Sequence, residues 1–218
     1  TGKLVECQAI SDDTSSNGFC YDRYTKAKIK NDKAGKVVDI CGVCYSQIML
    51  TTYRKNMRPA LARNEFLAER LLEQDELPTY LRSVMRLDAH GELRTETVDP
   101  ANGKVIKRYN KFTHIENYCR IAEHNPHCTF TLWTKRTDIV KPFFDSRDKP
   151  KNLIIIYSNP KVGTILSKPP KHFDKTFNNV LEDEYVDEQN CTGQKCKDCL
   201  LCYQHGTTDT IVEKVKKY

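Results

Sequence analysis

Four cysteines stand within twelve residues near the end of the chain, Cys191, Cys196, Cys199 and Cys202, spaced C-x4-C-x2-C-x2-C. No other feature constrains the fold as strongly. Four exposed thiols on a polar stretch would oxidise, so the run is expected to be occupied by metal. Short C-x2-C steps let a loop curl round one compact multinuclear centre, which is how iron–sulfur clusters take their ligands. Structural zinc usually takes two C-x2-C knuckles set further apart, and one zinc in this run would be cramped. The expectation is therefore an iron–sulfur cluster of the 4Fe-4S type, with zinc as the alternative.

The whole chain has ten cysteines in 218 residues. A small secreted domain with this many would be expected to pair them as disulfides. With no secretory leader evident and spacings this short, metal binding in a reducing intracellular compartment is the better expectation. Cys41-Gly42-Val43-Cys44-Tyr45 supplies a second C-x2-C pair, suited to metal ligation or to dithiol redox exchange. Cys20 is a further candidate ligand and Cys7 is ambiguous. Cys119 lies on the apolar face of an expected helix and reads as a core residue, and Cys128 at a turn reads as structural. The formal charge of +6, from 35 basic and 29 acidic residues, permits contact with nucleic acid without arguing for it. No apolar run approaches membrane-spanning length; the longest, Leu153 to Tyr157, is the size of a strand.

Residues 1–40 read as irregular, except for a short strand at Val37, Val38 and Ile40 leading into Cys41. A long helix is expected from Gln47 or Tyr53 to Glu73, with Met57, Leu61, Ala68 and Leu71 on one face. Ser83 to Leu87 reads as a strand and 94–111 as a hairpin insertion or loop. A helix begins at Thr113, where Thr113 and Glu116 fit a capping box. Thr129 to Thr134 is a strand, Asp138 to Phe144 a short helix, Leu153 to Tyr157 a strand covered on both faces, and Thr210 to Val215 a closing strand or short helix. This alternation predicts a single α/β domain over 1–218: an irregular start (1–40), a βα core (41–167) and a Cys-rich extension (168–218). The expected architecture is an incomplete or open (β/α) barrel of parallel strands with a Cys-rich metal-binding C-terminal loop.

In parallel folds the site lies beyond the C-terminal strand ends. That rule selects Cys41 and Cys44, then Arg86, Asp88 and His90, then Lys135, then Ser158. The catalytic candidates are Arg86, Asp88, Glu92, Lys135 and Ser158, and the competing expectation is a buried ion-pair network among them. The metal ligands expected are Cys41, Cys44, Cys191, Cys196, Cys199 and Cys202, in one shared centre or two. The partner would be a small molecule or a redox protein. Under the zinc alternative the chain is a zinc-stabilised binding module for nucleic acid or a host protein.

Read in order, Cys41-x2-Cys44-Tyr45, Asn64, Arg86-Leu87-x3-Gly91-Glu92, Trp133-Thr134-Lys135 and Ser158-Asn159 resemble the bacteriophage gene product 88 family, over most of the chain. The family's Gly-Asp stands here as Gly91-Glu92. The resemblance implies a viral protein acting in the cytoplasm of the infected host cell. The layout is also similar to radical SAM enzymes, which combine a partial α/β barrel, a cluster near the first strand and a Gly-Gly-Glu-like motif after the second. His90, Gly91 and Glu92 occupy that second place, which would make them cofactor-binding and SAM the cofactor. The C-x3-C-x2-C motif of those enzymes is absent, and Cys41 and Cys44 supply only its last pair.

Overall fold

A computed structural model describes residues 7–215. Strand β1 (Gln8–Ala9) leads into helix α1 (Gly18–Ala34), and a 3-10 turn at Ile40–Val43 then leads into α2 (Tyr45–Thr51), α3 (Arg58–Ala62) and α4 (Phe66–Glu69). Next come β2 (Val84–Leu87), the strands β3 (Glu96–Val98) and β4 (Val105–Arg108), α5 (Thr113–His124), β5 (Thr129–Thr134) and α6 (Thr137–Phe144). The chain continues through β6 (Leu153–Val162), β7 (Lys175–Val180), the single turn α7 (Cys196–Cys199) and β8 (Thr210–Lys214).

Six strands form one sheet in the order β1-β2-β5-β6-β7-β8, and every neighbouring pair is parallel. The fold is thus mixed α/β, as expected. Strands β3 and β4 form a separate antiparallel hairpin within the expected insertion. Because side chains alternate across a strand, each strand feeds two faces. Met85, Leu87, Phe130, Leu132, Leu153 and Ile155 join one apolar cluster with Ile115, Tyr118 and Ile121 of α5 and Ile139, Val140 and Phe143 of α6. Trp133, Ile154, Ile156 and Ile211 belong to a second cluster, where Tyr203, Leu200, Cys196 and Cys202 pack instead of a long helix. The Cys-rich segment therefore covers the face of the sheet opposite α5 and α6. Cys119 and Cys128 are fully buried in the first cluster, as expected of core residues.

Several local expectations are corrected. The first strand is Gln8–Ala9 rather than Val37–Ile40, where Asp39 makes a single bridge to Lys161. Residues 18–34 are all helix rather than irregular, and the first six residues of the expected irregular segment lie outside the described range. Helix α1 buries only Gly18, Ala27 and Asn31, so it carries no apolar stripe to announce it. The long helix over 47–73 is broken into short pieces. Thr51 and Thr52 turn their hydroxyls back onto Gln47 and Ile48 carbonyls, and Pro59, near the start of α3, cannot donate to a continuing ladder. The capping box at Thr113 does not form: Phe112 takes the cap position without a side-chain bond, and Glu116 accepts from Arg147 at 2.6 Å. Strand β7 was not anticipated, since Lys175-Thr-Phe-Asn-Asn-Val lacks an apolar run.

Candidate functional site

A cavity of about 660 Å³ opens at the C-terminal ends of the strands, within the size range of small-molecule sites. Arg86, Asp88, Glu92, Lys135 and Ser158 all line it. Strand parity explains three of the five. Arg86 alternates with Met85 and Leu87, Lys135 lies two residues beyond Trp133, and Ser158 two beyond Ile156, so these three fall on the face away from α5 and α6. Asp88 follows the end of β2 with φ of 50° and bonds to Tyr118 of α5. Glu92 arrives from the loop after β2. Gly91 in that loop has φ of 105°, and a Cβ there would lie 2.8 Å from the Asp12 Cβ. The close approach lets the loops after β1 and β2 zip together, with Asp12 N donating to His90 O at 2.8 Å and Asn17 Nδ2 to Glu92 O at 2.8 Å.

Cys20, Cys41 and Cys44 stand in the wall of the same cavity. Asn17 caps α1 by accepting from Cys20 N at 3.2 Å. Asp39 caps the 3-10 turn by accepting from Cys41 N at 3.1 Å, and it also binds Arg23 at 3.0 Å. Asn31 of α1 fastens that turn to the helix, donating to Asp39 O and accepting from Val38 N and Asp39 N, each at 2.9 Å. The three cysteines thus belong to one braced unit of α1, the turn and the start of α2.

From the other side the cavity wall contains Cys191, Cys196 and Cys202, while Cys199 joins these three around a second, smaller recess. Asn190 ties the loop to β8, donating to Thr210 O at 2.9 Å and accepting from Val212 N at 3.0 Å. Arg86 stacks on Trp133 with its guanidinium carbon 4.1 Å from the ring centroid, and Trp133 meets Tyr203 edge-on at 5.9 Å. The Arg86 Nε and Tyr203 hydroxyl groups are buried with no hydrogen-bond partner among the described residues. Two orphan donors beside a thiol-lined loop suit a group rich in sulfur acceptors, so the residues present fit an iron–sulfur cluster. Burial pushes the Cys202 thiol up to about 12, with Cys191 adding to the shift and Arg86 opposing it. Among the described residues no group of three or more His, Cys, Asp or Glu side chains converges tightly enough to hold one metal ion.

Lys135 is the electrostatic centre of the cavity. Its Nζ donates to Ser158 Oγ at 3.1 Å and lies 3.6 Å from Glu92 Oε1. Burial would depress the ammonium, but Cys41, Glu92, Cys44 and Cys20 together raise it, so it stays charged. Glu92 is already engaged by Thr134 Oγ1 at 2.5 Å and Lys135 N at 3.1 Å. Lys135, Glu92 and Ser158 thus form the buried network that was the competing expectation, whereas Arg86 and Asp88 stand outside it. Burial and the charge of Asp12 lift Asp88 well above the usual carboxylate range. Its Oδ1 accepts from the Tyr118 hydroxyl at 2.8 Å, and its Oδ2 has no partner among the described residues. His90 Nδ1 meets Ser46 Oγ at 2.5 Å, and burial keeps the ring below its ordinary pKa.

Sequence reasoning named Cys20 as a further candidate ligand without placing it on a helix, and it missed Tyr203. The Asn17-Gly18 start three residues before Cys20 is a helix-cap signal that locates the former. The chain matches no protein-family model, and neither a curated protein nor a solved structure matches it.

Proposed function

We propose that this chain is an iron–sulfur protein carrying out redox or cluster-dependent chemistry on a small molecule held in the cavity. One observation carries the reading: thiols from both ends of the chain line a single cavity at the strand ends, together with Arg86, Lys135 and Asp88. When bound, such a cluster supplies electrons singly. The chain's own residues supply the rest. Arg86 lines the cavity, and its Nε has no hydrogen-bond partner among the described residues, so it is a cation available to an anionic substrate. Asp88, whose carboxyl pKa burial raises above its usual range and whose Oδ2 has no partner among the described residues, is the group equipped to move a proton. Lys135 balances negative charge gathered at the thiols.

The sequential parallel strand order supports an open (β/α) barrel, and the bacteriophage gene product 88 resemblance supports a viral protein in the reducing cytoplasm of an infected host. No helix among the described residues is long and apolar enough to cross a membrane. His90, Gly91 and Glu92 stand by the cavity, but Glu92 is tied to Thr134 and Lys135, which leaves SAM the less supported cofactor. Anaerobically purified protein is expected to be brown and to bleach on dithionite reduction. Colourless protein carrying stoichiometric zinc would instead establish the binding-module alternative.

A further inference from the structure

We propose that Ser46 and His90 form a nucleophile–base pair in the wall of the cavity, and that the pair accepts an acyl group from a small ester or thioester carrying an anionic group. This activity goes beyond the redox reading above and needs no cluster.

The Ser46 side chain is not explained by its own helix. It stands in the first turn of α2, where a serine ordinarily caps the helix or bonds back to a carbonyl one turn earlier. Ser46 does neither. Cys44 holds the cap position without a side-chain bond. Among the described residues the one hydrogen bond of the Ser46 hydroxyl is with His90 Nδ1, at 2.5 Å and 44 residues away in the chain. Thr51 and Thr52 at the other end of the helix do bond back, onto Gln47 and Ile48.

His90 is held by its backbone. Its N donates to Ser11 Oγ at 3.3 Å, its O accepts from Asp12 N at 2.8 Å, and the Tyr45 ring lies beside the imidazole with centroids 6.4 Å apart. A hydroxyl on one element thus meets a base fixed on another, and both line the cavity, which is the arrangement that activates a serine. Burial, Arg86 and Arg54 all disfavour the imidazolium, so the ring is present in the form that accepts a proton. Arg86 lines the same cavity with its Nε unpartnered among the described residues, and it would take the anionic group of the acyl donor.

In the first step a bond forms between Ser46 Oγ and the carbonyl carbon, the hydroxyl proton passes to His90 Nδ1, and the carbonyl oxygen takes up the displaced electron pair. Collapse of that oxyanion breaks the bond to the alcohol or thiol, which leaves with the proton from His90. Water then attacks the acyl-serine in the same way, giving its proton to Nδ1, and the products are free Ser46 and a carboxylic acid. No electron carrier is consumed.

The test incubates full-length protein with a fluorophosphonate, which phosphonylates an activated serine irreversibly, and locates the adduct by peptide mass spectrometry. An adduct at Ser46 is expected, absent from Ser46→Ala and formed at least about 100-fold more slowly in His90→Gln. Monomethyl succinate should slow the labelling of wild type and dimethyl succinate should not. Wild type alone can overturn the proposal, since absence of an adduct at Ser46 does so whatever the variants do. An adduct formed at the wild-type rate in His90→Gln with native circular dichroism also overturns it, and leaves the contact as a pin between α2 and the loop after β2. Equal protection by the two esters, or none from either, overturns the anionic donor. Iron counted in the same samples reports separately on the iron–sulfur reading, because the labelling does not depend on it.

Discussion

At the scale of single residues, buried polar groups have sharply different charge states, and His114 of α5 shows how burial sets them. Its Nδ1 accepts from Arg94 N at 3.0 Å, its Nε2 has no partner among the described residues, and burial lowers its pKa to about 3. The unfolded chain therefore binds one more proton than the native state between that value and the ordinary His value of about 6.5, so this residue makes stability fall as pH drops through the window. Asp88 has the opposite sign, because its raised pKa leaves the native state holding the extra proton there. Wild type alone would blur the two effects. The stability advantage of wild type over His114→Gln is expected to shrink by about 2 kcal/mol between pH 7 and pH 5. Urea unfolding of both proteins at the two pH values measures it, and a constant difference would mean that His114 is not held neutral by burial. Gly42 makes a steric prediction. Gly42→Ala should cost about 1–3 kcal/mol, because the new methyl meets the Ala27 backbone as well as the Asn31 side-chain amide that fastens the turn to α1. It should also lower iron retention if the Cys41 turn must lie against α1.

Among elements, the loop after β1 depends on one buried ion pair. Arg94 is fully buried, donates to both oxygens of Asp12 at 2.8 Å, and also bonds the carbonyls of Asp13 and Ser16. It thereby fixes the residues that feed the Asn17 cap and Cys20. Arg94→Met is expected to lose about 3–5 kcal/mol by stranding the Asp12 carboxylate, and Asp12→Asn in the same chain should recover part of the loss. Denaturant unfolding of the two variants checks this; equal losses would contradict the pairing as the cause. The sequence made some elements legible and hid others for physical reasons. Strands β5 and β6 are rich in β-branched and aromatic residues and were evident, as was the amphipathic α5. Helix α1 and strand β7 were hidden because they are held by polar contacts: Asn31 in α1, and in β7 Asn178, whose Oδ1 accepts from Asn159 at 3.1 Å and Leu166 N at 3.0 Å. The cavity residues were legible because position at a strand end is a topological property. That Glu92 serves Thr134 and Lys135 required coordinates, since side-chain partners at a separation of 42 residues leave no local trace.

For the whole molecule, the Cys-rich segment is the cover of one sheet face, yet it contributes little apolar surface beyond Leu200 and Tyr203. A segment of this composition gains too little from burial to offset its ordering entropy, so metal ligation is expected to supply the difference. Limited proteolysis should therefore cut between Cys191 and Gly206 in chelator-treated protein and spare that region in the metal-loaded protein, while α5 and β5 resist in both. Equal protection in the two states would assign the order of this segment to packing alone. Asn190 and the Lys175 bonds to Thr207 Oγ1 at 2.9 Å and Thr208 O at 2.6 Å anchor the ends of the segment, so cleavage is expected within the cysteine loop rather than at its junctions.

The proposed function depends on what the thiols hold, and the most direct measurement is the iron, acid-labile sulfide and zinc content of anaerobically isolated full-length protein. Iron and acid-labile sulfide in equal amounts, at about four of each per cluster and with zinc near zero, is the predicted result. Zinc without sulfide, or protein that takes up neither metal on anaerobic reconstitution, would contradict the account.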